Sequence, residues 1–300
     1  MKRTLIKYCL IDFYEKRFNK FLLIIIFSFT TYLLTGVISN SIFFMPKEYK
    51  TIKKLVDKIA SKNNLSEYSI PFTIGAGRYM RYEANTLGLC ENDDCFYFSN
   101  LNPYKKTKNL NNININNLIR DSYLFNGIEA FAFKGVVSIS KSTFRSYGEK
   151  ENFLGCTIAH EISHIINNNH IDESIKLANK LKKFKEGLDE DKISEVKENL
   201  EYEFRRKSEM LADSNAAFMM INAGFPRETC LEELTFLSNK EGIEASTDLK
   251  DTHPGYIERY KSLEKSINSY EKKNFLNLQS KYKWKWRYDR SLNVLEFIPI

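Results

Sequence analysis

The chain has 300 residues, of which 43% are hydrophobic and 28% are charged. This length and composition fit one folded domain or two small ones and exclude a largely disordered chain. The formal net charge is +7, but the basic residues are dispersed among Asn, Ile and Glu instead of forming one stripe, which argues against a nucleic-acid-binding protein.

The first 44 residues combine a basic leader, residues 1–20, with an uncharged run, residues 21–44. A run of this length can cross a bilayer as a helix, and the basic flank favours a cytoplasmic N-terminus. We therefore expect a single-pass membrane anchor with the following domain on the extracytoplasmic, periplasmic side. Two alternatives stay open: a cleaved signal peptide, and a domain facing the cytoplasm, since five Lys residues between 47 and 58 nearly cancel the charge asymmetry.

The chain has five cysteines, and their pairing depends on the redox state of the compartment in which the domain lies. Cys90 and Cys95 could close a small disulfide loop in an oxidising compartment and would be free thiols in a reducing one. We expect Cys156 to be a buried structural thiol, while its pairing with Cys230 is left open by the sequence.

The main domain is placed at residues 47–275, followed by a tail at 276–300. Hydrophobic periodicity and turn residues predict a mixed, mainly helical α+β fold with a small sheet. The expected elements are a helix at 49–61, a strand at 70–82, an irregular segment at 90–117, two short strands within 128–139, helices at 152–167, 171–199 and 200–223, a helix from 254, and a C-terminal β-hairpin.

The helix predicted at 152–167 carries His160, Glu161 and His164. Two histidines at i and i+4 lie on one helix face, so both imidazoles can reach one metal ion, and the glutamate beside the first can hold a metal-bound water. This is the H-E-x-x-H pattern of metal-dependent peptide hydrolysis. The plainer interpretation, two exposed histidines beside an acid, conflicts with the apolar residues around them, because buried and unpaired polar groups are costly.

A catalytic metal site needs a third protein ligand and one open position. Glu209 and Asp213 are again i and i+4 on the helix predicted at 200–223. Glu209 can bind the ion, and Asp213 can accept a hydrogen bond from a ligand imidazole. A competing third ligand is His170, at the metzincin spacing, although Asn167 stands where metzincins place Gly.

The order of these motifs resembles the gluzincin peptidases of metallopeptidase family 48, and is most similar to its periplasmic members. The resemblance spans roughly residues 128–263 and is carried by three motifs and one strand: His160-Glu161-Ile162-Ser163-His164, Glu209-x-x-Ala212-Asp213, Thr252-His253-Pro254, and Glu129-Ala130-Phe131-Ala132. Glu129 stands where the family usually has Asn.

The resemblance implies a zincin-like domain that holds one zinc ion per chain through His160, His164 and Glu209. It makes Glu161 the general base and lets Asp213 orient His160. It places His253 near the metal, where it would stabilise the oxyanion or occupy the open coordination position in a resting state. For His253 the alternative is an ordinary residue at a helix start before proline.

The implied function is a zinc-dependent endopeptidase acting on polypeptides, and a membrane tether would direct it to misfolded membrane or envelope proteins. Residues Phe131, Ala132, Val136 and Val137 form the expected strand against which an extended substrate would pair. The alternatives are a catalytically inactive, membrane-bound zinc protein with a chaperone-like binding role, and a structural protein at a lipid surface.

Overall fold

The structure is a computed structural model that describes residues 20–31, 44–65, 69–107, 114–167, 179–182, 190–242, 244–247, 253–270 and 283–300. The main helices, in chain order, are α1 (Lys47–Ala60), α2 (Arg78–Thr86), α3 (Phe96–Ser99), α4 (Ile115–Phe125), α5 (Lys141–Tyr147), α6 (Glu151–Ile166), α7 (Glu190–Asn222), α8 (Thr229–Glu241) and α9 (Tyr256–Asn268). The described part of the chain is thus mainly helical with a small sheet, as the sequence predicts.

The described strands form one sheet in the order β2-β3-β1-β5-β4. They are β1 (Ile70–Gly75), β2 (Ala130–Phe133), β3 (Val136–Ser140), β4 (Trp284–Asp289) and β5 (Val294–Pro299). β1 is parallel to β3 and antiparallel to β5, and β2 and β3 form a hairpin through Lys134 and Gly135, both at positive φ. The predicted C-terminal hairpin is therefore not separate from the domain, because β5 continues its sheet.

The hydrophobic core lies where α1, α6 and α7 pack on one another and on the sheet. Gly155 of α6 allows this packing, because a Cβ atom there would lie 2.7 Å from the Met220 side chain of α7. At its C-terminal end α7 closes with Gly224 at φ 78°, and the N–H of Phe225 donates to the carbonyl of Met220 at 3.1 Å. This is the predicted glycine-terminated helix end.

Two predicted element boundaries are wrong, and α8 is missing from the prediction. The strand expected to continue to Tyr82 ends at Gly75, and α2 begins at Arg78, whose N–H donates to Glu129 at 2.9 Å. The helix expected to start at 200 starts at Glu190, within the segment assigned to a separate charged helix. α8 was not predicted as an element.

Two disulfides join the described cysteines. Cys90 pairs with Cys95, and Cys156 of α6 pairs with Cys230 at the start of α8. Cys156 is buried as expected, but it is disulfide-bonded and not a thiol, and the pairing with Cys230 that the sequence left open is present. The turn after α7 brings Cys230 back onto α6, to a Cα separation of 5.6 Å that a disulfide spans.

Residues 20–31 form a helix with exposed apolar side chains. Among the helices that the structure describes, none has both the length and the apolar character to cross a membrane. Residues 32–43 of the predicted anchor lie outside the described residues, so the anchor stays a prediction.

Candidate metal centre and active site

α6 and α7 together supply the cluster of side chains predicted to bind metal. His160 and His164 lie one turn apart on α6, and Glu209 faces them from α7. The two helices pack closely enough for these side chains to meet, partly because Ala212 and Ala216 of α7 are small and buried. The structure thus brings together the three residues that the sequence analysis assigned to the ion.

The ligand atoms of this cluster have the spacing that a metal ion requires. His160 Nε2 lies 3.1 Å from His164 Nε2 and 3.2 Å from Glu209 Oε2, and His164 Nε2 lies 3.4 Å from Glu209 Oε1. An ion with bonds of about 2.0–2.1 Å at tetrahedral angles would separate its ligand atoms by roughly 3.3 Å. Two imidazoles and one carboxylate are also a donor set that suits zinc, so the residues fit such an ion.

Asp213 and Arg259 form a second layer behind the cluster. Asp213 Oδ1 accepts a hydrogen bond from His160 Nδ1 at 2.9 Å, and the Arg259 guanidinium binds both carboxylate oxygens of Asp213 at 2.6 and 2.8 Å. Burial alone would raise the pKa of Asp213, but Arg259 and the His160 hydrogen bond hold this pKa below its usual range. With Nδ1 as the donor, His160 directs the lone pair of Nε2 towards Glu209 and His164.

The carboxylates of Asp213 and Glu209 favour a positive charge at the centre of the cluster. Burial disfavours the imidazolium of His160, yet hydrogen bonds to Asp213 and Glu209 raise its pKa well above the ordinary value. Burial likewise disfavours the Glu209 carboxylate, but the hydrogen bonds to His160 and His164 lower its pKa well below the ordinary value. A divalent cation held by His160, His164 and Glu209 would supply this positive charge in place of a proton on His160.

Glu161 and His253 flank the cluster. Glu161 is buried beside His160, and burial raises its pKa while the two histidines oppose that shift. His253 is 65% exposed, and its Nε2 lies 3.7 Å from Glu209 Oε1. His253 therefore reaches the open side of the cluster, where a substrate would enter.

A cavity of about 420 Å³ adjoins the cluster. It is bounded by His160, Glu161 and Thr157 of α6 and, on its far side, by α8. Glu233 of α8 reaches this cavity from the protein interior. Burial raises the pKa of Glu233 to about 7.

The expected substrate-binding strand is only partly placed as predicted. β2, with Phe131 and Ala132, is an edge strand of the sheet, and Phe131 is partly exposed. Val136 and Val137 belong to β3, which is paired with β2 on one side and β1 on the other. The assignment of these two valines to substrate pairing is wrong, because β3 has no open edge.

The model of peptidase family M48 matches residues 115–267, slightly more than half of the chain. The chain belongs to peptidase family M48. The matched span runs from α4 to α9 and contains the histidine pair, Glu209, Asp213, His253 and Arg259. Membership in family M48 makes the chain a metallopeptidase. No curated protein matches the chain.

Within this M48 domain, the metzincin alternative is not supported by the described residues. Glu209 lies within 3.4 Å of both histidine nitrogens, which gives the cluster its third donor. His170 lies outside the described residues.

Sequence reasoning missed Glu233 and its neighbours Tyr147 and Thr157. A signal was present in the sequence, because Cys230, Glu233, Leu234 and Leu237 fall on one helix face in which only Glu233 is charged. A lone acid on an apolar helix face indicates a buried carboxyl group, which needs either a partner or a function.

Proposed function

We propose that this M48 peptidase is a zinc-dependent endopeptidase in which Glu161 transfers the protons of hydrolysis. The observation that carries the proposal is the convergence of His160, His164 and Glu209, with ligand atoms 3.1–3.4 Å apart beside the buried Glu161 carboxylate. This donor set accounts for one zinc ion per chain and leaves one coordination position for the reaction.

A bound zinc ion would lower the pKa of its water ligand to about 7 and polarise the carbonyl of the scissile bond. Glu161 takes a proton from the attacking water and returns it to the leaving amine, acting as base and then as acid. The peptide C–N bond breaks, the water oxygen joins the carbonyl carbon, and the amine leaves with the transferred proton. His253, on the open side of the cluster, donates to the developing oxyanion.

The position of β2 supports cleavage within a polypeptide chain. β2 lies at the edge of the sheet and begins near the cluster, since its first residue, Ala130, borders the same cavity as His160. An extended substrate can add to this edge through main-chain hydrogen bonds, which depend little on side-chain identity. Broad sequence preference, with the substrate continuing past the site at both ends, is the expected behaviour.

The two disulfides support an extracytoplasmic location, because disulfides persist in oxidising compartments. Together with the predicted anchor at 21–44, they support a catalytic domain that lies beside a membrane, on its periplasmic face. Misfolded membrane and envelope proteins are the proposed substrates, since a tethered protease meets these proteins at high local concentration.

The test replaces Glu161 by Gln and measures bound zinc together with peptide hydrolysis. We expect Glu161→Gln to keep about one zinc per chain and to lower kcat/KM by about 10²–10⁴-fold, because an amide cannot transfer the protons. Glu149→Gln, an exposed change just before α6, is the control and should cleave normally.

Equal cleavage by the wild type and Glu161→Gln would contradict the assigned role of Glu161. A zinc-loaded wild type that binds unfolded polypeptides without cleaving any would instead favour the alternative, a catalytically inactive, chaperone-like binding module.

A further inference from the structure

The cavity beside the metal centre ends on a carboxylate that the proposed hydrolysis does not use. Glu233 is 7% exposed, and its Oε1 accepts hydrogen bonds from Tyr147 Oη at 2.5 Å and Thr157 Oγ1 at 3.1 Å. Both bonds fall on Oε1, and no described residue donates a hydrogen bond to Oε2. Tyr147 and Thr157 therefore fix the position of Glu233 and leave one oxygen for a group that enters the cavity.

Three other acids around this cavity, Asp213, Glu129 and Glu241, already have partners. Asp213 is paired with Arg259, and Glu129 lies 3.3 Å from the guanidinium of Arg78. Glu241, at the end of α8, accepts the backbone N–H of Ile128 at 3.1 Å. Among the described residues no Lys, Arg or His lies within salt-bridge distance of Glu233. Arg259, which is paired with Asp213, acts on Glu233 only from a distance and lowers its pKa less than burial raises it. The cavity therefore contains a buried acid without a salt-bridge partner among the described residues.

Part of the cavity wall is apolar. This part is formed by the disulfide of Cys156 and Cys230 and by the side chains of Leu234, Leu237 and Leu263, whereas Thr157, Asp213 and Arg259 are polar members of the lining. A volume of about 420 Å³ lies within the usual size of ligand pockets, about 300–1,000 Å³. An apolar wall beside a buried carboxylate is complementary to an aliphatic stem that ends in a cation.

We propose that this cavity, the acidic side pocket, binds a Lys or Arg side chain of the substrate next to the scissile bond, with Glu233 as its counter-charge. The inference rests on the proposed peptidase function and names the substrate class. Glu233 is a specificity-determining residue, because it contacts the side chain of the substrate and lies away from the reacting carbonyl. An acidic substrate side chain is excluded from the same place by charge repulsion.

The first experiment measures binding alone, so that it does not depend on cleavage. The probes are fluorescein-labelled peptides that are identical except for one central residue, which is Lys, norleucine or Glu. The protein is the full chain with Glu161→Gln, loaded with zinc. We expect the Lys peptide to bind about tenfold more tightly than the norleucine peptide, since a hydrogen-bonded charge pair in a desolvated pocket has an effect of this size.

The second variant adds Glu233→Gln, which keeps the shape of the side chain and removes its charge. The preference for Lys over norleucine should fall to within about twofold, while binding of the norleucine peptide stays the same. Glu232→Gln, an exposed acid next to Glu233 on α8, is the matched control and should keep the preference. Zinc content and thermal melting confirm that each variant is folded.

Equal affinity of the Glu161→Gln protein for the Lys and norleucine peptides would overturn the proposal and leave Glu233 a purely structural acid. Retention of the preference in Glu233→Gln would overturn it as well. A Lys preference that requires Glu233, in a wild type that cleaves none of the peptides, would support the acidic side pocket and contradict the endopeptidase assignment alone. If the wild type cleaves, all cuts should fall at one fixed distance from the Lys.

Discussion

At the scale of single residues, Asp213 has two roles that depend on one another. It accepts from the imidazole of His160 and binds Arg259 through both of its oxygens, with 8% of its side chain exposed. Arg259 keeps the Asp213 carboxylate ionised, and the ionised carboxylate keeps the His160 proton on Nδ1. The position of the metal-facing nitrogen is therefore set by a residue of α9 that does not touch the cluster.

Asp213→Asn should weaken zinc binding and destabilise the fold together. We expect zinc affinity to fall by about 10–100-fold, because the amide fixes the His160 tautomer poorly. The free energy of unfolding should fall by up to about 3–5 kcal/mol, because the Arg259 charge loses its buried partner. Chelator competition and urea titration measure the two effects. Glu195→Gln, an exposed change on α7, is the control, and unchanged zinc affinity in Asp213→Asn would contradict the role of Asp213.

Glu233 should make the stability of the zinc-free protein depend on pH. Burial raises its pKa from 4.5 to about 7, so between these pH values the folded protein holds a proton that the unfolded chain has released. Stability should therefore fall as pH rises through this window, by roughly 3 kcal/mol in total. Urea titrations at pH 4 and pH 8 should show this loss in the wild type and a smaller one in Glu233→Gln. Parallel pH profiles of the two proteins would show that Glu233 is not responsible.

At the scale of elements, the sequence was most informative where one periodic pattern carries both packing and chemistry. α6 was predicted within one residue at each end, because apolar residues recur at helical spacing around His160 and His164. The spacing of Glu209 and Asp213 identified the metal-facing side of α7 for the same reason. These patterns are local, so they did not require knowledge of the tertiary structure.

The elements that were missed depend on contacts distant in sequence. The start of α2 is capped by Asn126 and Glu129, which accept the N–H groups of Tyr79 and Arg78 across 47 and 51 positions. The disulfide between Cys156 and Cys230 spans 74 positions. The apolar helix face indicates that Glu233 is buried, but its partners Tyr147 and Thr157 become apparent only when α8 packs beside α6. Caps, crosslinks and pockets of this kind are set by the fold and leave little trace in local sequence.

The disulfide between α6 and α8 should contribute more to stability than the one at Cys90 and Cys95. The two bridges enclose chain segments with separations of 74 and 5 residues, and the entropy lost by the unfolded chain grows with the segment length. Replacing Cys156 and Cys230 by Ala should lower the free energy of unfolding by about 2–4 kcal/mol, and replacing Cys90 and Cys95 by roughly half as much. Thermal and urea unfolding of both double variants measures the difference, and equal losses would contradict the argument.

At the scale of the whole molecule, the described core of the catalytic domain includes none of the described N-terminal residues 20–31. The described core begins at Met45, whereas the apolar side chains of residues 21–29 are largely exposed. Exposed apolar side chains in this number indicate a surface that meets a membrane or another protein. We therefore propose separable roles for the domain and the segment before it: the domain holds the candidate metal centre, and the segment determines where the enzyme acts.

This separation predicts that removing residues 1–44 changes location and substrate choice but not chemistry. Redirected to the same compartment by a cleavable signal sequence, the shortened protein should bind zinc and cleave short peptides with unchanged kcat/KM, because the core and the cluster lie after residue 44. The full chain should stay with the membrane fraction after alkaline carbonate extraction, whereas the shortened protein should be soluble.

Cleavage of a misfolded membrane protein should fall by about 10²-fold without the tether, since the local concentration is lost. Release of the full chain by carbonate, or equal cleavage of the membrane substrate by both forms, would show that residues 21–44 do not act as an anchor.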